Sequence, residues 1–160
     1  MAKKNPSAKT ISNRRARHDY TLGDSFVVGL SLTGGETKAL RMGHGQLRGA
    51  YVTVKDSAKS AKGGGELWLV NATISGSSGI PIDEQTQTRT RKLLAKRREI
   101  DQLIAAKQQG TTIVPLEILT RGRYIKLRIA LGKGKKLYDK RQTLKARDEN
   151  RQINRAIKLR

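Results

Sequence analysis

Tyr124-Ile125-Lys126-Leu127-Arg128-Ile129-Ala130-Leu131 alternates apolar and basic side chains. In an extended chain, successive side chains point to opposite faces. Ile125, Leu127, Ile129 and Leu131 therefore face one way, Lys126 and Arg128 the other. Upstream, Thr112-Ile113-Val114-Pro115-Leu116-Glu117-Ile118-Leu119-Thr120 reads as a partner strand, joined through Arg121-Gly122-Arg123 as a hairpin. Pro115 has no backbone N–H and suits an edge or a bulge.

Immediately downstream comes Gly132-Lys133-Gly134-Lys135-Lys136-Leu137-Tyr138-Asp139-Lys140-Arg141. Five of these ten residues are Lys or Arg, and the two glycines are expected to keep the backbone loose. Tyr138 sets an aromatic ring among cations that suit phosphates. By itself, the run reads equally well as a solvated charge cluster. It also divides the chain. The residues before it carry enough apolar surface for one core, and those after it are too polar to fold alone.

The 160 residues carry a net charge of +21 and a 36% hydrophobic fraction. Residues 1–17 hold six Lys/Arg and no acid. Residues 133–160 hold eleven against three acids, so two thirds of the net charge sits at the ends. Three regions are expected: a disordered basic arm over 1–12, a packed domain over 13–132, and a basic tail over 133–160 that is disordered when free. There is no cysteine, which rules out disulfides and thiolate metal sites and accords with a reducing, cytoplasmic setting. No apolar run approaches the roughly 20 residues that span a bilayer.

Working back toward the N-terminus, Thr88 to Gln109 gives the longest helical pattern, with Thr88 as N-cap and Gly110 as stop. Arg89, Arg91, Lys92, Lys96, Arg97 and Arg98 crowd its first half, where cations oppose the helix dipole. A bound phosphate backbone would account for them. Glu66–Ile74 and Ala50–Val54 read as paired strands around a glycine-rich loop over Ser57–Gly65, with Trp68 in the core. Residues 80–87 read as irregular. Glu36–Met42 is a short helix carrying Lys38 and Arg41 on one face. Phe26, Val28, Leu30 and Leu32 form the inner side of a strand. Five or six hairpin-linked strands and two helices favour an antiparallel sheet or small closed barrel.

No catalytic set emerges. GxxxxGK[ST] fails around Gly134-Lys135 because Lys136 follows where Ser or Thr is needed. His18 and His44 lack spaced ligand partners. A nucleophile–base–orienter set is absent from the pattern, so no enzyme and no cofactor are expected. An RNA-threading structural protein of the ribosome fits the charge pattern as a second reading.

Several segments resemble the tmRNA-binding (SsrA-binding) small protein B family of bacterial trans-translation. They are Asn13–Tyr20 (NRRARHDY), Gly35-Glu36-x-Lys38-x-x-Arg41, Arg89–Leu94 (RTRKLL) followed by Arg98-Glu99-Ile100, Val114-Pro115-Leu116, and Gly132–Arg141 (GKGKKLYDKR). Their order is the family's, and together they are specific. The chain departs at Val27, where the family usually has an acid, at Thr37 and Ala39, and in the Ser57–Gly65 loop.

The resemblance implies an OB-like closed antiparallel barrel of about six strands with two to three flanking helices. It implies binding to the tRNA-like domain of tmRNA through Asn13, Arg17, His18, Tyr20, Glu36, Lys38, Arg41, Arg89, Arg91 and Lys92. It implies a tail that enters the decoding centre of a stalled ribosome and meets small-subunit rRNA, folding there as a helix. Lys133, Lys135, Lys136, Tyr138, Asp139, Lys140, Arg141, Arg147, Arg151 and Arg155 would serve that tail. A cytoplasmic monomer acting with elongation factor Tu completes the expectation. Tyr20 has a second reading as core packing, and Glu36 one as a helix cap.

Overall fold

In the computed structural model, the described residues are 10–56, 64–77, 79–136, 138–139, 141, 148–149 and 152. In chain order they form β1 (Ile11–Ser12), α1 (Arg14–Asp19), β2 (Tyr20–Leu30), α2 (Gly34–Met42), β3 (Gly45–Gln46), β4 (Tyr51–Asp56) and β5 (Gly65–Val70). There follow β6 (Thr73–Ile74), α3 (Glu84–Gln87), β7 (Arg91–Leu94), α4 (Arg97–Gln108), β8 (Thr112–Leu119) and β9 (Lys126–Gly134).

The strongest pairing is the expected hairpin. β8 and β9 run antiparallel from Thr112 opposite Gly132 to Leu119 opposite Lys126, with a bulge between Pro115 and Glu117. β9 continues onto β2, from Tyr20 opposite Gly134 to Gly29 opposite Lys126. β2 pairs β7, β7 pairs β5, β5 pairs β4, and β4 returns to β8 through Val52 opposite Ile113. Six strands thus close into an antiparallel ring, which leaves no long open edge. β1 lies on β8, and β3 with β6 forms a separate two-stranded ribbon.

Alternation decides what fills the ring. Val28, Leu67, Leu69, Leu93, Ile113, Ile118, Leu127 and Ile129 point inward at 2% exposure or less. α2 adds Ala39 and Leu40, and α4 adds Leu103, so helices cover the barrel where the strands alone would leave apolar surface wet.

Several expectations are corrected. The long helix begins at Arg97, not Thr88, because Arg91 and Leu93 alternate inward with Lys92 and Leu94 outward, the two-residue period of a strand. β7 lies between β5 and β2, and tertiary pairing there outweighs the helical spacing read across it. Glu66–Ile74 breaks into β5 and β6 at Asn71, which sits at φ 61°, a conformation asparagine tolerates well. Residues 84–87 form a short helix, and Arg14–Asp19 forms α1 with Asn13 as its N-cap. Four helices are therefore present among the described residues.

Ile11 and Ser12, expected within the arm, pair with Ile118 and Glu117, and Ile11 is buried. The glycines after Leu131 are not a loose joint. Gly132 and Gly134 lie in β9, and a Cβ on Gly132 would sit 3.0 Å from Val114 Cγ2 and 3.2 Å from Tyr20 Cβ. A side chain at 132 would make Val114 and Tyr20 give way by a few tenths of an ångström. Trp68 lies on the outer side of β5, not in the core.

Candidate nucleic-acid interface

Glu36 organises one end of the barrel. Thr33 caps α2: its hydroxyl accepts from Glu36 N at 3.3 Å, while Glu36 Oε2 accepts from Thr33 N at 2.8 Å. This reciprocal arrangement satisfies two backbone donors at the helix start. Gly43, at φ 91°, closes the other end in the left-handed conformation that glycine adopts freely.

The same carboxylate receives two arginines. Arg89 donates through Nε to Oε1 at 2.8 Å and through Nη2 to Oε2, a forked contact. Arg91 donates through Nε to Oε1 at 2.9 Å. Its Nη1 also reaches the carbonyls of Ala72 at 2.6 Å and Arg89 at 3.0 Å, and its Nη2 that of Gln87 at 2.8 Å. Arg91 is 0% exposed and Glu36 2%, whereas the Arg89 side chain remains 35% exposed.

Burial alone would raise the Glu36 pKa. The hydrogen bonds from Arg89 and Thr33 and the charge of Arg91 outweigh it and hold the carboxyl at about 2, below its ordinary 4.5. Burial lowers the Arg91 pKa against the pull of Glu36, and Glu36 raises that of Arg89. The pair belongs to the inside of the fold, and Arg89 is its outlet to solvent.

Lys38 and Arg41 are exposed on α2, as expected. Arg41 Nη2 donates to the carbonyls of Gly122 at 3.2 Å and Arg123 at 3.1 Å, tying α2 to the β8–β9 turn. Lys92 points outward from β7 and pairs with Glu66 at 2.6 Å.

The second group gathers around α1. Asn13 is a structural pin: its side chain accepts from Ala16 N at 3.3 Å and donates to the Pro115 carbonyl at 3.1 Å, while its backbone N–H reaches Leu116 O at 2.7 Å. Arg17 is exposed, and His18 Nδ1 lies 3.1 Å from Asp19 Oδ1, both partly exposed. Tyr20 packs on Gly132, which favours the packing reading for its ring.

Lys135 joins this group to the start of the tail. Its backbone N–H donates to Asp19 O at 2.9 Å, and its ammonium to Arg17 O at 3.1 Å. That ammonium sits at the carbonyl end of α1, where the helix dipole favours a cation. Lys133 and Lys136 are exposed, Tyr138 is 59% exposed, and Arg141 is exposed. Tyr138 and Asp139 have helical backbone, and Asp139 accepts from Lys136 N at 3.3 Å. Lys140, Arg147, Arg151 and Arg155 lie outside the described residues; of the helix expected from Gln142 onward, Asp148, Glu149 and Gln152 are described and have helical backbone.

Sequence reasoning passed over an outward patch. Val27 and Leu94 are 45% and 56% exposed, and Gly29 stands opposite both Leu94 and Lys126. Leu94, Lys126 and Tyr124 line a cleft of about 450 Å³. The signal was the parity of β7, which a helical reading concealed.

The described residues thus define a small closed barrel with exposed cations on α1, on α2, at the start of α4 and at the exit of β9, an architecture suited to an RNA partner. A family model described as SmpB protein matches residues 10–159. The chain belongs to the SmpB protein family. It is 44% identical to the SsrA-binding protein of Trichormus variabilis, covering 99% of each chain. It is 42% identical to that of Roseiflexus sp., over 100% of this chain and 98% of the relative. The SsrA-binding protein of Pseudomonas putida is 42% identical over 98% and 94%. A solved chain from a structure described as "tmRNA-SmpB: a journey to the center of the bacterial ribosome" superposes with a TM-score of 0.60 at 34% identity. That match covers 80% of this chain and 85% of the other.

Proposed function

We propose that this protein binds the tRNA-like domain of tmRNA, brings it to stalled ribosomes, and allows rescue and tagging of the nascent peptide. The carrying observation is full-length similarity to SsrA-binding proteins at 42–44% identity. Surface charge supports it, since cations are offered where a phosphate backbone could reach them.

Residue roles follow from exposure. Arg17, His18, Lys38, Arg41, Arg89 and Lys92 are the candidate contacts with tmRNA. Glu36 and Arg91 act beneath them, holding Arg89 in one orientation and neutralising what would be unpaired charge. Asn13 and Tyr20 hold α1 and the exit of β9. The body runs from β1 to the end of β9, and the tail follows it. Lys133, Lys135, Lys136, Tyr138, Asp139, Lys140 and Arg141, then Arg147, Arg151 and Arg155, meet small-subunit rRNA in the empty decoding site. The ring of Tyr138 stacks there on a base. The protein works in the cytoplasm as a monomer, with elongation factor Tu on the aminoacylated tmRNA, and as a binding protein without chemistry of its own. Among the described residues, no helix is long and apolar enough to cross a membrane.

The test is peptidyl transfer to alanylated tmRNA on ribosomes stalled on a truncated message. The full chain supports transfer. A chain ending at Lys136 retains tmRNA binding and does not support transfer. Transfer at the full rate by the shortened chain would overturn the role given to the tail.

A further inference from the structure

Trp68 stands on the outward side of β5, while its neighbours Leu67 and Leu69 fill the barrel at 0% exposure. Register sets it opposite Thr53 of β4 and Lys92 of β7. Tyr51 pairs with Val70, two positions along β5 from Trp68, so the two rings are diagonal neighbours on one face. Tyr51 is 49% exposed. Lys55, on the same face of β4, holds its ammonium 5.5 Å from the Trp68 ring centroid.

The face is cationic once its pairs are counted. Glu66 is bridged to Lys92 at 2.6 Å, so this carboxylate does not oppose an incoming phosphate uncompensated. Lys55 adds an exposed positive charge beside the Trp68 ring. Trp68 is partly exposed on this outer wall, its ring covered by the Lys55 ammonium.

We propose that the outward face of β4, β5 and β7 is a stacking platform for unpaired bases of a single-stranded RNA segment, with Tyr51 and Trp68 as the rings and Lys55 as the phosphate partner. Bases inside a duplex have their faces covered, so only an unstacked segment can use such rings. Binding exchanges one contact for two. Lys55 leaves the Trp68 ring for a phosphate, and a base takes its place on the ring. Stacking contributes more per base than an exposed cation–π contact does. The site stands apart from the tmRNA reading, since any unstructured strand would serve.

Trp68 is the sole tryptophan in the chain, so its fluorescence reports this face alone. The experiment titrates the full chain with a short unstructured oligouridylate, and separately with inorganic polyphosphate of equal charge. The expected result is saturable quenching by the oligonucleotide and little change with polyphosphate. Tyr51→Ala, at an exposed position, weakens the quenching curve by roughly fivefold or more. Trp68→Phe, followed with a labelled oligonucleotide, keeps the affinity within about threefold, whereas Trp68→Ala lowers it about tenfold. Oligonucleotide binding that leaves the fluorescence unmoved would overturn the proposal, placing the RNA on the tail or α1 and leaving this face to a protein partner. Equal quenching by polyphosphate would also overturn it, because displacement of Lys55 would then account for the signal. Loss of tmRNA binding is read in a separate assay and does not bear on these outcomes.

Discussion

Arg91 donates to Glu36 at 2.9 Å across 55 residues of sequence, with its whole side chain withdrawn from solvent. The contact joins the first turn of α2 to β7. Carbonyls of Ala72, Arg89, Thr86 and Gln87 take the remaining guanidinium donors. Such a pair is costly to bury and far costlier to break, because the surviving partner is left charged and alone.

Arg91→Ala should therefore lower stability by about 3–5 kcal/mol, as should Glu36→Ala. Arg89→Gln should cost only about 1 kcal/mol, because its side chain is 35% exposed and water screens what remains. Denaturant midpoints check the order. Equal effects for Arg89 and Arg91 would mean that the buried position has no special weight.

Acid should weaken the fold through the same carboxyl. The Glu36 pKa is lowered from 4.5 to about 2 in the folded protein. The unfolded chain takes up a proton first as pH falls, so this stabilisation is complete above about pH 5 and is lost toward pH 2. Its full size is about 3 kcal/mol. Glu36→Gln should flatten the fall in stability over that range, measured by urea unfolding at successive pH values. An undiminished slope in the variant would assign the acid sensitivity to other carboxylates.

Gly132→Val should destabilise the body by about 1–3 kcal/mol. The new side chain has no room between Val114 Cγ2 at 3.0 Å and the Tyr20 ring at 3.3 Å. Gly134→Ala meets nothing within 4 Å and should be close to neutral. Thermal melts distinguish the two. Matching melts would mean that the strand relaxes around the added carbons.

Where the chain can be shortened follows from β9. Ending it at Leu131 removes the pairing of Gly132, Lys133 and Gly134 with Leu22, Thr21 and Tyr20, together with the two Lys135 bonds to α1. That truncation should melt several degrees lower than one ending at Lys136. Equal melting temperatures would show that the last residues of β9 add nothing to the fold.

The β8–β9 hairpin is legible in the sequence because Ile125 to Leu131 alternate without interruption, and α2 is legible because Thr33-x-x-Glu36 and Gly43 mark its ends. β7 reads as helix because Leu93, Ile100 and Leu103 fall at helical spacing, and the break at Ala95-Lys96 carries no glycine or proline. Arg91 looks like a surface cation for the same reason: only strand parity and a distant Glu36 make it internal. The apolar neighbours of Trp68 suggest a core position, although Leu67 and Leu69 occupy that side. Glycines 132 and 134 read as slack because the close approach of Tyr20 and Val114 is a tertiary fact. The cations of α1, α2 and GKGKKLYDKR are visible in the sequence, as is their order.

Salt-titrated binding tests whether the protein recognises tmRNA selectively. Affinity would be measured for the tRNA-like domain of tmRNA, an elongator tRNA and plain duplex RNA from about 50 to 200 mM salt. Six to ten phosphate contacts cost on the order of 10³–10⁵ in affinity over that range for any RNA held by charge alone. Selective recognition predicts that tmRNA stays bound at the upper salt while the other two are released. If all three fall in parallel, the cations are generic, and a ribosomal RNA-threading role becomes the better description.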